Sequence, residues 1–218
     1  TALMTEYYRQ RSTAGLIVTE GTQPCLEGKG YWRTPGIHSA AQMEGWSRVA
    51  DAVHSKDGRI VMQLMHCGRV VVPANRGFDA DIVAPSALPC ADLVPGPDGI
   101  PVAAAMPREL AAHELPAVAA QFAAAARNAR DAGLDGVELH CASGYLLNQF
   151  LNPASNRRSD EWGGDGTERT NRPVLPARAI FASVEGLGTR SQRSTRRSAS
   201  CTRSMAGRYS RGSSSGAA

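Results

Sequence analysis

The chain has 218 residues, with 24 Lys+Arg against 20 Asp+Glu and a formal net charge of +4, enough length for one domain with a sizeable core. The positive charge is local, because no acidic residue follows Glu185 while arginines stand at 190, 193, 196, 197, 203, 208 and 211; the preceding body is mildly acidic, and a nucleic-acid-binding reading loses its support there. Five scattered cysteines without a CxxC pair argue against a zinc site or disulfide framework, and no apolar run reaches the roughly 20 residues of a membrane span, so a cytoplasmic protein without membrane partners is expected.

In chain order, Thr1 to Ala14 reads as a helix with Thr1 as its cap, Leu3, Met4, Tyr7 and Tyr8 as an apolar stripe and Gly15 as the stop. Leu16–Glu20, LIVTE, is a short β-branched strand that runs into Gly21. Gly21 is either a plain tight turn or a place where backbone must come close to a ligand. Lys29 to Ile37 is a loop, and its Tyr31 is either a surface aromatic or part of a pocket wall. Ala40 to Lys56 is an amphipathic helix with Met43, Trp46, Val49, Ala50 and Val53 on one face, ended by Asp57-Gly58.

Ile60–Met65 is the next strand. Its Gln63 is polar in an apolar run and needs partners, from neighbouring backbone or from a ligand edge that alternates donors and acceptors. His66 and Arg69 are expected to brace the following loop. Val70 to Arg108 is a long Pro-rich connection, of a length that is usually functional or flexible. Glu114 to Ala132 is a helix with Leu115, Val118, Ala119, Phe122, Ala126 and Ala129 on one face, and Gly133 stops it. Val137-Glu138-Leu139 is then a strand that ends in His140, followed by the small-residue turn Cys141–Gly144 and by Tyr145.

Beyond this, Asn152 to Gly166 is a loop in which Arg157 and Arg158 read as a structural or solvated pair. Asn171 to Glu185 can form a helix, although Pro173 and Pro176 crowd its start. From Gly186 onward Ser, Arg and Gly dominate and no periodic apolar face remains, a disordered composition. The chain therefore divides into a domain over 1–185 and an Arg/Ser/Gly-rich tail over 186–218, either an authentic tail or frameshifted text.

A histidine at the carboxyl end of a strand, with a tyrosine five positions on, is a plausible place for chemistry, since loops at that end hold ligands in parallel α/β folds. The same histidine also reads as a hydrogen-bonded structural residue. The wording decides between them. GVELHCASGYLLNQFLN (Gly136–Asn152), together with GLIVTEGTQ (Gly15–Gln23), GKGYWRTPGIHS (Gly28–Ser39), VMQLMHCGR (Val61–Arg69) and the run from Asn148 to Gly164, resembles the Old Yellow Enzyme family. These are FMN-dependent, N-ethylmaleimide reductase-like ene-reductases. Several separated blocks in one order, over Thr1 to about Arg172, weigh more than one motif.

The resemblance implies an α/β fold, a partial (β/α)8 TIM barrel with about three recognisable strand–helix units. It implies FMN as cofactor, NADH or NADPH as reductant and a small activated alkene, an enone or nitroalkene, as substrate. By resemblance Gly21 and Gln63 face the flavin, His140 and Ser143 bind the substrate oxygen, Tyr31 and Met65 border the pocket, and Tyr145 gives the proton. Ser143 stands where relatives carry Asn or His, and its short hydroxyl is expected to reach the oxygen only through water. Met65 stands where many relatives carry an aromatic, which is expected to widen the pocket. The family's first strand, and its later strands with the phosphate grip, are not recognisable in the chain. It is therefore expected to bind FMN weakly or not at all, and an inactive remnant without bound cofactor is the alternative reading.

Overall fold

A computed structural model describes residues 1–163; the helix expected over 171–185 and the tail over 186–218 lie outside the described residues. At its centre is a three-stranded parallel sheet of β1 (Ile17–Val18), β2 (Ile60–Leu64) and β7 (Gly136–Leu139), with β2 in the middle. The register pairs Ile17 with Ile60 on one side, and Gln63 with Glu138 and Leu64 with Leu139 on the other. Parallel neighbours need a crossover between them, and the chain supplies α2 (Ala40–His54) before β2 and α3 (Leu115–Asp131) before β7.

Strand alternation sorts β2 into two faces. Ile60, Met62 and Leu64 are fully buried and share one core with Trp46, Val49 and Val53 of α2 and with Phe122, Ala126 and Ala129 of α3. Val61 and Gln63 lie on the opposite, half-open face. Val61 and Gln63 are thus on the side of the sheet away from both helices.

Local signals explain the two helices. Ser39 and Gln42 form a capping box at the start of α2, with Gln42 N donating to Ser39 Oγ at 3.3 Å and Ser39 N to Gln42 Oε1 at 3.0 Å. The end of α3 is set by Gly133 at φ +91°, which a side chain would disfavour. A salt-bridged aspartate closes the amino-terminal ends of the strands. Asp135 Oδ2 accepts from Ile60 N at 2.8 Å and meets His54 Nε2 at 2.9 Å.

The amino-terminal helix is shorter than its sequence suggests. α1 runs over Ala2–Arg9, capped by Thr1, whose side chain accepts from Met4 N. Ser12 turns its hydroxyl back onto Arg9 O at 2.9 Å, the competing bond by which hydroxyl side chains interrupt helices. Of the expected stripe only Tyr8 is buried and Met4 packs on the core; Leu3 and Tyr7 are exposed. With the helix ending at Arg9, one turn's worth of apolar face suffices. The strand expected over 16–20 is likewise two residues long, and Thr22 continues it only as an isolated bridge to Leu64.

The long connection between β2 and α3 folds into short pieces. β3 (Val83–Ala84) pairs in parallel with β6 (Arg108–Glu109), and β4 (Leu93–Pro95) pairs antiparallel with β5 (Pro101–Ala103). After β7, α4 (Leu146–Leu151) begins directly behind Tyr145. Arg158 reads as structural: it is buried, donates to Pro85 O at 3.1 Å and to Leu110 O, and pairs with Asp160. Among the described residues no helix is long and apolar enough to cross a membrane.

Candidate functional site

The site grows out of the carboxyl ends of β2 and β7. Past Leu64 the chain leaves the sheet through Met65-His66-Cys67-Gly68, and past Leu139 through the turn from His140 to Tyr145. The two exits are stitched together: His140 N donates to Leu64 O at 3.0 Å and Leu146 N to His66 O at 2.9 Å. His66 and Arg69 brace this loop. His66 Nδ1 accepts from Gly68 N at 3.0 Å, and its burial, followed by the Arg76 charge, holds its pKa down at about 3. Arg69 Nη1 donates to Leu88 O at 3.2 Å.

Four of the residues singled out in the sequence come together here. Met65 and Tyr31 share an apolar cluster with Tyr145, Cys67, Val71 and Ile82. The hydroxyls of Tyr31 and Tyr145 are 3.1 Å apart, with the rings nearly perpendicular at a centroid separation of 6.2 Å. His140 lies edge-on to Tyr145, at 4.8 Å between centroids and 87° between planes. One imidazole and two phenols thus face a half-buried apolar wall.

The state of the imidazole follows from its bonds. His140 Nδ1 accepts the backbone N–H of Ala142 at 3.2 Å, so in the neutral ring the proton sits on Nε2. Burial lowers the pKa of His140, against the smaller opposing pull of Glu138. Neutral imidazole with Nε2–H is a hydrogen-bond donor that needs no titration to act at neutral pH. Tyr31 is pushed far above the ordinary phenol value, first by burial and then by its bond to Tyr145, so its proton stays in place as well.

The remaining candidates are placed differently. Gly21 lies against Met65: a Cβ on Gly21 would sit 2.6 Å from Met65 Cε and 2.7 Å from Sδ. A side chain there would have to displace the thioether, the flexible end of Met65, from the space above Gly21. Gln63 is on the open face of β2, and its amide nitrogen donates to Glu138 Oε1 at 2.6 Å, across the strand pair. That partner is a side chain, where the sequence suggested backbone or ligand. Ser143 is exposed, in a left-handed conformation at φ +57° beside Gly144 at φ +76°, so the turn holds it at the rim.

Sequence reasoning missed the residues that hold these loops in register. Gln149, 1 % exposed, donates to Gly144 O at 2.7 Å and to Cys67 O at 3.2 Å, and its oxygen accepts Arg69 N at 3.4 Å. Asn148 clamps the turn from within, accepting Gly144 N at 3.1 Å and donating to Cys141 O at 3.2 Å. Both sit in an apolar helical run, and their polarity there was the available signal, since buried amides must find partners.

Comparison with known proteins gives this geometry a context. The model of the NADH:flavin oxidoreductase / NADH oxidase family matches residues 1–184. The chain is 41% identical over 187 residues to the flavin oxidoreductase hxnT of Emericella nidulans, covering 85% of this chain and 47% of that protein. It is 42% identical over 169 residues to the "Probable flavin mononucleotide-dependent alkene reductase" of Leishmania infantum, covering 75% and 46%. Among solved structures, morphinone reductase superposes with a TM-score of 0.77 at 37% identity, over 85% of this chain and 50% of that one. The chain spans about half the length of the curated relatives it matches.

Proposed function

The chain belongs to the NADH:flavin oxidoreductase / NADH oxidase family, and from that premise we propose that it carries the substrate-facing part of an FMN-dependent reductase of activated alkenes. The fold to which its parallel sheet then belongs is a (β/α)8 barrel, whose ligands lie at the carboxyl ends of the strands. The observation that carries the reading is the convergence of His140, Tyr145, Tyr31 and Met65 at those ends. One imidazole and two phenols beside an apolar wall suit a small, flat, polarised substrate such as an enone or nitroalkene.

Bound FMN would supply the hydride, and electrons from NADH or NADPH would replenish it. Gln63 and the backbone at Gly21 are the residues here that would hold the flavin. An amide offers both a donor and an acceptor to a ring edge of alternating carbonyls and N–H groups; Gln63 would turn from Glu138 to do so. Met65, a flexible side chain, would yield the space it fills above Gly21.

Within that pocket His140 directs Nε2–H at the substrate's carbonyl or nitro oxygen, where negative charge builds as the β-carbon is reduced. A donor aimed there in advance lowers the barrier. Tyr145 delivers its phenolic proton to the α-carbon, and the Tyr31 hydroxyl at 3.1 Å fixes the direction of that phenol. Ser143, short and at the rim, adds a second donor to the oxygen only through water. The free thiols of Cys25, Cys67, Cys90 and Cys141 support a cytoplasmic setting.

An FMN titration of the purified chain, followed by flavin fluorescence, tests the cofactor half of this reading. Gln63→Leu is expected to raise the Kd about tenfold, the equivalent of about 1.4 kcal/mol or one to two hydrogen bonds. Equal affinity in the two proteins would remove Gln63 from the flavin site.

A further inference from the structure

Behind Tyr31 lies a polar clamp that neither the sequence motifs nor the proposed chemistry uses. Arg76 is 3% exposed, and among the described residues its side-chain hydrogen bonds go to backbone carbonyls. Nη2 donates to Glu27 O at 2.7 Å, Nε to Lys29 O at 2.9 Å, and Nη1 to Ala80 O at 2.9 Å and Asp81 O at 3.0 Å. Its neighbour Asn75, wholly buried, donates to Gly30 O at 3.0 Å and Pro95 O at 2.9 Å. The remaining carbonyl of the stretch, Gly28 O, accepts Cys67 N at 3.0 Å.

Four consecutive carbonyls, from Glu27 to Gly30, are therefore each held by a dedicated donor, and the next residue is Tyr31. Lys29 returns the contact by donating Nζ to Arg76 O at 2.9 Å. No side chain would fit at Gly30, where a Cβ would collide with Val70 O and Cys67, so the strip is wedged as well as bonded. On the other side, Ala80 and Asp81 lead into Ile82, which packs in the same cluster as Tyr31, Met65 and Tyr145. One guanidinium ties down both approaches to the pocket wall.

We propose that Arg76, with Asn75, is a positioning residue that sets the Tyr31 phenol against Tyr145. The proposal rests on the reading of Tyr145 as proton donor only for its catalytic meaning, not for its geometry. A planar fork of five donors can satisfy carbonyls arriving from two segments at once, and an ammonium cannot. Burying a cation hydrogen-bonded to carbonyls, even with the charges of Glu27 and Asp81 to favour it, is a costly way to gain stability, for which apolar packing would do as well or better. What the cation gives instead is a fixed path for the backbone at Lys29 and Gly30, and with it the 3.1 Å contact between the two hydroxyls.

The test needs neither flavin nor turnover. The chain has five tyrosines, and ring-labelled protein allows each phenol to be titrated by NMR, with Tyr31→Phe and Tyr145→Phe supplying the assignments. In the native chain Tyr31 should resist ionisation well beyond the ordinary phenol range. In Arg76→Lys, folded by its cooperative melt, the Tyr31 midpoint should fall by about one pH unit or more towards the usual value of about 10. Lys29→Met, a milder change at a half-buried site, should move it the same way by less and remains readable if Arg76→Lys does not fold. An unmoved Tyr31 in a folded Arg76→Lys, or in Lys29→Met should that be the only folded variant, overturns the proposal. Loss of enone turnover with Tyr31 unmoved would count against it too, whereas absence of turnover in the native chain would bear only on the proposed function.

Discussion

Tyr145→Phe is expected to slow the reduction of an enone by about 10²- to 10³-fold, within the range for loss of a positioned general acid, while the reduction of FMN by NADPH stays within about twofold. The two steps ask different things of the protein. Only the alkene step requires a proton at carbon, and in the proposed reaction the phenol of Tyr145, held beside Tyr31 and edge-on to His140, is the donor. Phenylalanine keeps the ring and its packing against Met65 and Ile82 and removes only the oxygen. Anaerobic stopped-flow measurement of the two half-reactions separates the cases. Equal slowing of both would make Tyr145 a packing residue, and no slowing of either would send the proton through another group.

Gln149→Leu is expected to cost about 2–4 kcal/mol of folding stability, although leucine has nearly the same volume. The loss is polar. The carbonyls of Cys67 and Gly144 lose their donor and Arg69 N its acceptor, and buried groups left unpaired cost about 1–3 kcal/mol each. Gly68 makes the fit tight, since an added Cβ there would lie 2.6 Å from Gln149 Nε2. Gln149→Glu should be at least as damaging, because a carboxylate can accept but cannot donate to the two carbonyls. Urea unfolding reads this as a lower midpoint at unchanged slope. A change within about 0.5 kcal/mol, the size of an ordinary surface substitution, would show that the staple is dispensable.

What the sequence carried was the periodic and the local. The apolar run Ile60–Met65 placed β2, and the 3.6-residue pattern placed α2 and α3 to within about two residues. The cap at Thr1 and the stops at Asp57-Gly58 and Gly133 were legible for the same reason, since each acts within a few residues of itself. Where local signals competed, the reading failed: the Ser12 hydroxyl competes for Arg9 O where α1 ends early, and nothing in Leu3 or Tyr7 said that they would face solvent. The site was half legible. His140, Tyr145, Tyr31 and Met65 were found from wording, and their convergence needed the fold. The polarity of residues that pair over long range was visible in the sequence, but the identity of their distant partners was not. Gln63 meets Glu138 75 positions away, and Arg76 reaches Glu27 across 49; such partners become visible only when β2, β7 and the loops are set side by side.

The most direct measurement of the central claim is product formation by the chain itself. Purified protein, with FMN in excess to offset weak binding, would be incubated under nitrogen with NADPH and cyclohexenone, and cyclohexanone would be quantified against a control with FMN alone. The account predicts saturated ketone well above that control, and its loss in His140→Leu, which keeps the volume and removes the Nε2–H donor. Ketone at the control level with the native chain, or equal yields from native and His140→Leu proteins, would contradict it.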